Sequence, residues 1–325
     1  MAHNFHSGIM MNGERAWHGL GEVIEGTLPA REAFTRAGAL FEVEKRPLFV
    51  KNEDVYQQID QRVAVCRMDN NEVLGTVSPQ YELIQNETLC QLAEMLRDDI
   101  IMDTVVVLKK GARIAFTGKI LGTDASIVEG DKIHRNFVGY LGHDGMTSFG
   151  GMFTDIRVVC QNTLGFAQAD GRRTSKQFSV NHTKIGIAQI DEIMRNIDVA
   201  RQTFGNHVEE YKRMAETPMD FESYKTWLIH LYNLPSVATP EGIRSTIEDC
   251  PRKWEKLRNA YAGGYGTHFD GVQNTVWGGY NAVTEVETSL RDGKLSTRFQ
   301  SATWGQGSRV VERARSSALQ LCGVN

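Results

Sequence analysis

The hydrophobic period of this chain changes once, near Ile185, and that change sets what it can fold into. Before it, apolar residues recur at every second position, the pattern of strands with one buried face; after it they recur every three or four, the pattern of helices. Phe41-Glu42-Val43-Glu44-Lys45-Arg46 and Arg62-Val63-Ala64-Val65-Cys66-Arg67 alternate in this way, and Asp69-Asn70-Asn71 turns the second run into Val73-Leu74-Gly75-Thr76-Val77. Thr104 to Leu108 and Ala112 to Leu121 flank the turn Lys109-Lys110-Gly111 as a further hairpin. Residues 135–142 lead into His143-Asp144-Gly145, whose glycine supplies a positive φ, and residues 146–150 lead back out. A separate third strand is expected over residues 153–160, with Asp155 and Arg157 on one face. Two helices interrupt the strands. One spans residues 29–39, and the other is capped by Asn86 and carries Leu89, Leu92, Ala93 and Leu96 as one stripe.

Beyond the change, Ile190, Ile193, Ile197, Ala200, Phe204, Val208 and Tyr211 predict a helix of about seven turns, which Thr217-Pro218 stops. Asp220 is placed to cap the next helix, and further helices are expected over residues 251–262, 274–290 and 307–321. The expected fold is α+β. An antiparallel hairpin sheet with a packing helix, residues 1–185, forms the candidate nucleic-acid-binding half, and a mainly helical half, residues 186–325, serves packing or assembly.

Charge is divided unevenly along the chain. The formal net charge is -4, yet residues 109–185 hold 11 Lys and Arg against 6 Asp and Glu, while residues 1–108 hold 9 against 17. A basic centre in an acidic protein suits one surface that attracts polyanions while the rest stays soluble. Its candidate ligands for phosphate are Lys109, Lys110 and Arg113 at one hairpin turn, Lys119 on the following strand, and Arg172, Arg173, Lys176 and Lys184 in a polar segment. Phe178 lies between these last cations as an aromatic on which a base can stack.

Other chemistries find little support. His143, Asp144 and Asp155 are the residue types of a divalent-metal nuclease, but hairpin geometry and an Asp155–Arg157 pair account for them more simply. His3 and His6 lack a third ligand. The five cysteines, Cys66, Cys90, Cys160, Cys250 and Cys322, are never spaced as CxxC and read as buried thiols. The glycines of residues 263–266 precede no GK[ST] ending, and no GxSxG, HExxH or dinucleotide fingerprint occurs. No catalytic residue, metal or cofactor is expected. No run approaches the roughly 20 apolar residues of a membrane span, and the start MAHNFHSGIM lacks a basic region followed by an apolar one, so a cytoplasmic protein is expected.

His143-Asp144-Gly145 followed by a strand ending Arg157-Val158-Val159-Cys160-Gln161-Asn162-Thr163-Leu164 resembles the phage/plasmid-like protein family, a domain of unknown function carried on phage genomes and plasmids. Ala16-Trp17-His18-Gly19-Leu20-Gly21, Lys110-Gly111-Ala112-Arg113 and Tyr280-Asn281-Ala282-Val283-Thr284-Glu285 resemble its other motifs, so the likeness covers most of the chain. It implies a mobile-element setting and carries over no residue roles. The expected function is non-catalytic binding of nucleic acid, single-stranded DNA in particular, by a homo-oligomer acting in phage or plasmid replication or recombination, similar in kind to single-strand annealing proteins. The alternatives are a protein that inhibits a host defence or replication factor and, third, a metal-dependent nuclease.

Overall fold

The computed structural model describes residues 5–11, 22–157, 178–180, 188–232, 251–264, 266–288, 290 and 306–323. Strands dominate its first part and helices its second, so the protein is α+β. The strands are β1 (Phe5–Met10), β2 (Glu22–Val23), β3 (Val43–Asn52), β4 (Val55–Arg67), β5 (Val73–Val77), β6 (Ile100–Leu108), β7 (Arg113–Ser126), β8 (Lys132–Gly142), β9 (Phe149–Arg157) and β10 (Phe178–Val180). They form a seven-stranded sheet in the order β10-β9-β8-β7-β6-β1-β2 and a three-stranded sheet in the order β3-β4-β5. The pairings β1–β6, β6–β7, β9–β10, β3–β4 and β4–β5 are antiparallel, and the short β2 adds to β1 in parallel.

The helices are α1 (Ala30–Arg36), α2 (Asn86–Met95), α3 (Ala188–Glu216), α4 (Phe221–Leu231), α5 (Pro251–Gly263), α6 (Val276–Thr288) and α7 (Gln306–Leu321). The chain forms two compact units, one of residues 1–121, 136–153 and 174–200, the other of residues 122–135, 154–173 and 201–325.

In the first unit the core is an aromatic ladder. Phe34 of α1, Phe116 of β7, Phe137 of β8 and Phe153 of β9 follow one another at ring separations of 6.0, 5.7 and 5.6 Å, so each step crosses to a neighbouring element. All four are buried, each contributing about 1.5–3 kcal/mol of apolar burial. Gly139 makes room for it, because a Cβ there would come within 2.2 Å of the Phe116 ring. The stripe Leu89, Leu92 and Ala93 of α2, with Leu96 beyond its end, closes the same core.

Two expectations are corrected here. Asn86 is the first residue of α2 and caps nothing; its side-chain amide donates to the Phe41 carbonyl at 2.8 Å and its oxygen faces His143 Nε2 at 2.7 Å. A buried amide with two partners inside the fold has no reason to turn back to its own helix. The separate third strand also does not exist as such, since residues 149–157 run as one strand, β9, through Gly150 and Gly151; residues 158–160 lie outside the described residues.

In the second unit α6 is the central element, with Trp277, Tyr280, Val283 and Val286 buried against α5 and α7. Tyr211 of α3 packs on Trp277 at 4.9 Å, and the indole donates to Asp131 at 2.8 Å. Tyr224 of α4 stacks on Tyr261 of α5 at 4.1 Å. Asp220 caps α4 as its sequence predicts, accepting from the Ser223 amide at 2.8 Å. Phe204, Val208 and Tyr211 of the 29-residue α3 are buried in this core, as their spacing requires.

Candidate nucleic-acid interface

The turn expected to present a basic tip is closed by its own fold. Lys109, Lys110 and Gly111 form a single 3-10 turn between β6 and β7, with both lysines at positive φ. Arg113, just beyond it, is buried and donates from Nε to Asp144 at 2.7 Å. Lys110 pairs with Glu72 at 2.6 Å. Burial is the main influence that lowers the Lys109 pKa, and the neighbouring Arg113 charge adds to it. Two of the three cations therefore spend their charge on carboxylates of the same unit.

Asp144 is the centre of this arrangement. Its Oδ2 takes Arg113, while its Oδ1 accepts from the amides of Met146 and Thr147 at 3.0 and 2.9 Å, closing the turn between β8 and β9. Burial works against its charged form and is outweighed by the Arg113 charge and hydrogen bond together with the two amides, so the carboxyl pKa is lowered. The His143 amide donates to the Ala112 carbonyl at 2.8 Å, tying this turn to the 109–111 turn. Gly75 of β5 packs on it so closely that a Cβ would lie 2.7 Å from the Asp144 Cα. Among the described residues no three His, Cys, Asp or Glu side chains gather as a group that could hold a metal ion. His6 is described and His3 is not, and the side chain of Asp155 also lies outside the described residues.

The remaining sequence candidates divide similarly. Lys119 is half-buried on β7. Phe178 opens β10, the edge strand beside β9, but its side chain is outside the described residues, as are Arg172, Arg173, Lys176 and Lys184. Arg135, counted in the basic centre, is also withdrawn: it is buried in the second unit, bonding Thr203 at 2.9 Å and His207 at 2.8 Å. Of the described thiols, all free, Cys66 and Cys90 are buried as expected, with burial pushing Cys90 up to about 12, while Cys322, near the end of α7, is only half-buried.

An open surface occurs where the sequence reading stopped short. β3 and β4 continue past their alternating segments as a two-stranded ribbon, pairing Leu48 with Ile59, Phe49 with Gln58, Val50 with Gln57, Lys51 with Tyr56 and Asn52 with Val55 around a Glu53-Asp54 turn. Residues 49–58 are all exposed. β5 pairs only with residues 63–66 of β4, so the ribbon lies beyond the third strand, and an irregularity at Asp60, Gln61 and Arg62 opposite Pro47 sets it off from the sheet.

Cross-strand partners share a face, so the ribbon has two distinct ones. Phe49, Lys51, Tyr56 and Gln58 form one, with Phe49 51% and Tyr56 67% exposed and the Lys51 ammonium 6.0 Å from the Tyr56 ring. Leu48, Val50, Val55 and Ile59 dominate the other, joined by Asn52 and Gln57. The signal for it was present: Leu48-Phe49-Val50 and Val55-Tyr56 flank Asn52-Glu53-Asp54 as β-formers flank a turn.

A family model described as Domain of unknown function (DUF932) matches residues 73–316. No curated protein and no solved structure matches the chain. Among the described residues no helix is long and apolar enough to cross a membrane.

Proposed function

The chain belongs to the DUF932 domain family, and we propose that it is a phage- or plasmid-type protein that binds single-stranded nucleic acid without cleaving it, in replication or recombination. The observation that carries this reading is the aromatic face of the ribbon. Two exposed aromatic rings on one side of a twisted two-stranded ribbon, with a lysine beside one and an amide beside the other, are what consecutive unpaired bases need: a π-face for each base and a cation for the intervening phosphate. A duplex hides its base faces and gains little from such a surface. Arg172, Arg173, Lys176 and Lys184 are the further cations that the sequence offers for this role, since the fold neutralises Arg113 and Lys110. The acidic Glu53-Asp54 tip keeps phosphates off the end of the ribbon and directs the strand across its face.

Binding to a host protein is the second reading, favoured by the acidic tip and the aliphatic side of the same ribbon. A salt series with single-stranded and duplex DNA separates the two. The nucleic-acid reading expects a preference for single strands and a slope of log affinity against log salt of about -3 to -4, corresponding to roughly four to six phosphates neutralised. No detectable binding to either DNA or RNA at low salt overturns it and leaves the protein partner.

A further inference from the structure

We propose that the aliphatic side of the ribbon is a self-association surface, on which a second copy of this chain packs its own ribbon, antiparallel and face to face. A two-stranded ribbon is marginally stable alone in water. Residues 48–59 form one with exposed apolar groups on both sides, Val50 44% and Val55 67% exposed on the aliphatic side. Base stacking on Phe49 and Tyr56 uses only the other side, so Leu48, Val50, Val55 and Ile59 remain to be covered.

The distribution of charge selects a second copy as the occupant. The tip carries Glu53 and Asp54, while the base carries the exposed cation Arg62; Lys45 falls on the Phe49 side and donates to the Pro79 carbonyl at 2.9 Å. Two ribbons related by a two-fold axis across their length put each acidic tip beside the other's basic base, which is the self-complementarity an isologous contact demands. The same axis passes through the middle of the aliphatic side. It sets Val50 over Val50 and Gln57 over Gln57, where the two amides can bond each other, and Ile59 over Val55. Parallel stacking instead sets acidic tip against acidic tip. A polyanion has no use for this side, which offers it hydrocarbon and an acidic end.

Ribbons of about five residues per strand make a contact of only a few hundred Å², below the roughly 1,200 Å² of standard specific interfaces, so the association expected is weak, with a Kd on the order of tens of micromolar. Sedimentation equilibrium of the full chain at about 50 μM, free of nucleic acid, tests it. The wild type is expected to be partly dimeric. Val50→Glu should weaken self-association by about tenfold or more, because it buries a charge against its own copy. Phe49→Ser on the opposite face should leave the dimer intact. Should Val50→Glu fail to fold, Val55→Lys addresses the same face at a more exposed position. Glu53→Lys with Asp54→Lys should also weaken the dimer, and adding Arg62→Glu should restore part of the loss. A monomeric wild type, or a dimer indifferent to both Val50→Glu and Val55→Lys, overturns the proposal. Loss of DNA binding in Phe49→Ser with the dimer intact supports both readings, and a dimer that binds no DNA removes the nucleic-acid reading alone.

Discussion

Two turn regions of the first unit make an instructive pair. Residues 109–113 with 143–147 are rich in charge that is engaged within the fold: Arg113 is buried against Asp144, which also accepts from the Met146 and Thr147 amides, and the exposed Lys110 faces Glu72. Residues 48–59 are rich in Leu, Phe, Val, Ile and Tyr yet open, with ten consecutive exposed residues. Polarity in sequence is thus a poor guide to which surface the fold leaves open. A charged turn can be consumed by its own partners, and an apolar hairpin that reaches beyond its sheet has nothing of its own to cover it.

The largest expected effect is on the closed region. Asp144→Asn removes the charge that holds buried Arg113, and loss of one partner of such a pair costs about 3 kcal/mol. Urea denaturation reads this, and the folded fraction should still bind single-stranded DNA. A variant as stable as wild type removes the clamp from the account. Next comes the open region, where Tyr56→Ala should weaken single-strand binding by about 1–3 kcal/mol, the worth of one stacked base, with stability changed by less than about 0.5 kcal/mol. Titration of a labelled oligonucleotide and a thermal melt check the two halves of that statement.

The pH dependence sharpens the contrast. The Asp144 pKa is lowered in the fold, so its contribution is fully present above the usual aspartate value near 4 and is lost as pH falls through the lowered one. Stability measured from pH 6 downward should fall more steeply in wild type than in Asp144→Asn. Equal slopes break the link between this carboxylate and acid sensitivity. Arg172→Glu with Arg173→Glu should flatten the salt slope of binding by about one to two units for all sequences alike. The smallest effect is expected at the exposed pair, where Lys110→Ala should change stability by about 0–1 kcal/mol and binding not at all, since that ammonium already faces Glu72.

The sequence made the regular elements legible wherever packing follows a period. The Ile197, Ala200, Phe204, Val208 and Tyr211 stripe of α3 and the Asp220 cap of α4 are local statements, and local physics decides them. Partners are another matter. Nothing near Arg113 in sequence announces Asp144, 31 positions away, and Asn86 looks like a cap until the Phe41 carbonyl and His143 claim it. The ribbon escaped for a third reason: a strand with apolar residues on both sides has no polar parity to betray a buried face, so its period carries no signal. Gly75 against Asp144, and Gly139 against the Phe116 ring, are required only once β5, β7 and β8 are assembled.

The central claim, that the exposed ribbon and not the charged turn carries binding, is tested most directly by the double variant Phe49→Ala, Tyr56→Ala. Its affinity for a single-stranded oligonucleotide of about 20 nucleotides should be read at low salt beside Lys110→Ala. Loss of two stacked bases should weaken the double variant by about 30-fold or more, while Lys110→Ala binds as wild type does. A double variant with wild-type affinity, or a Lys110→Ala variant that loses it, contradicts the account.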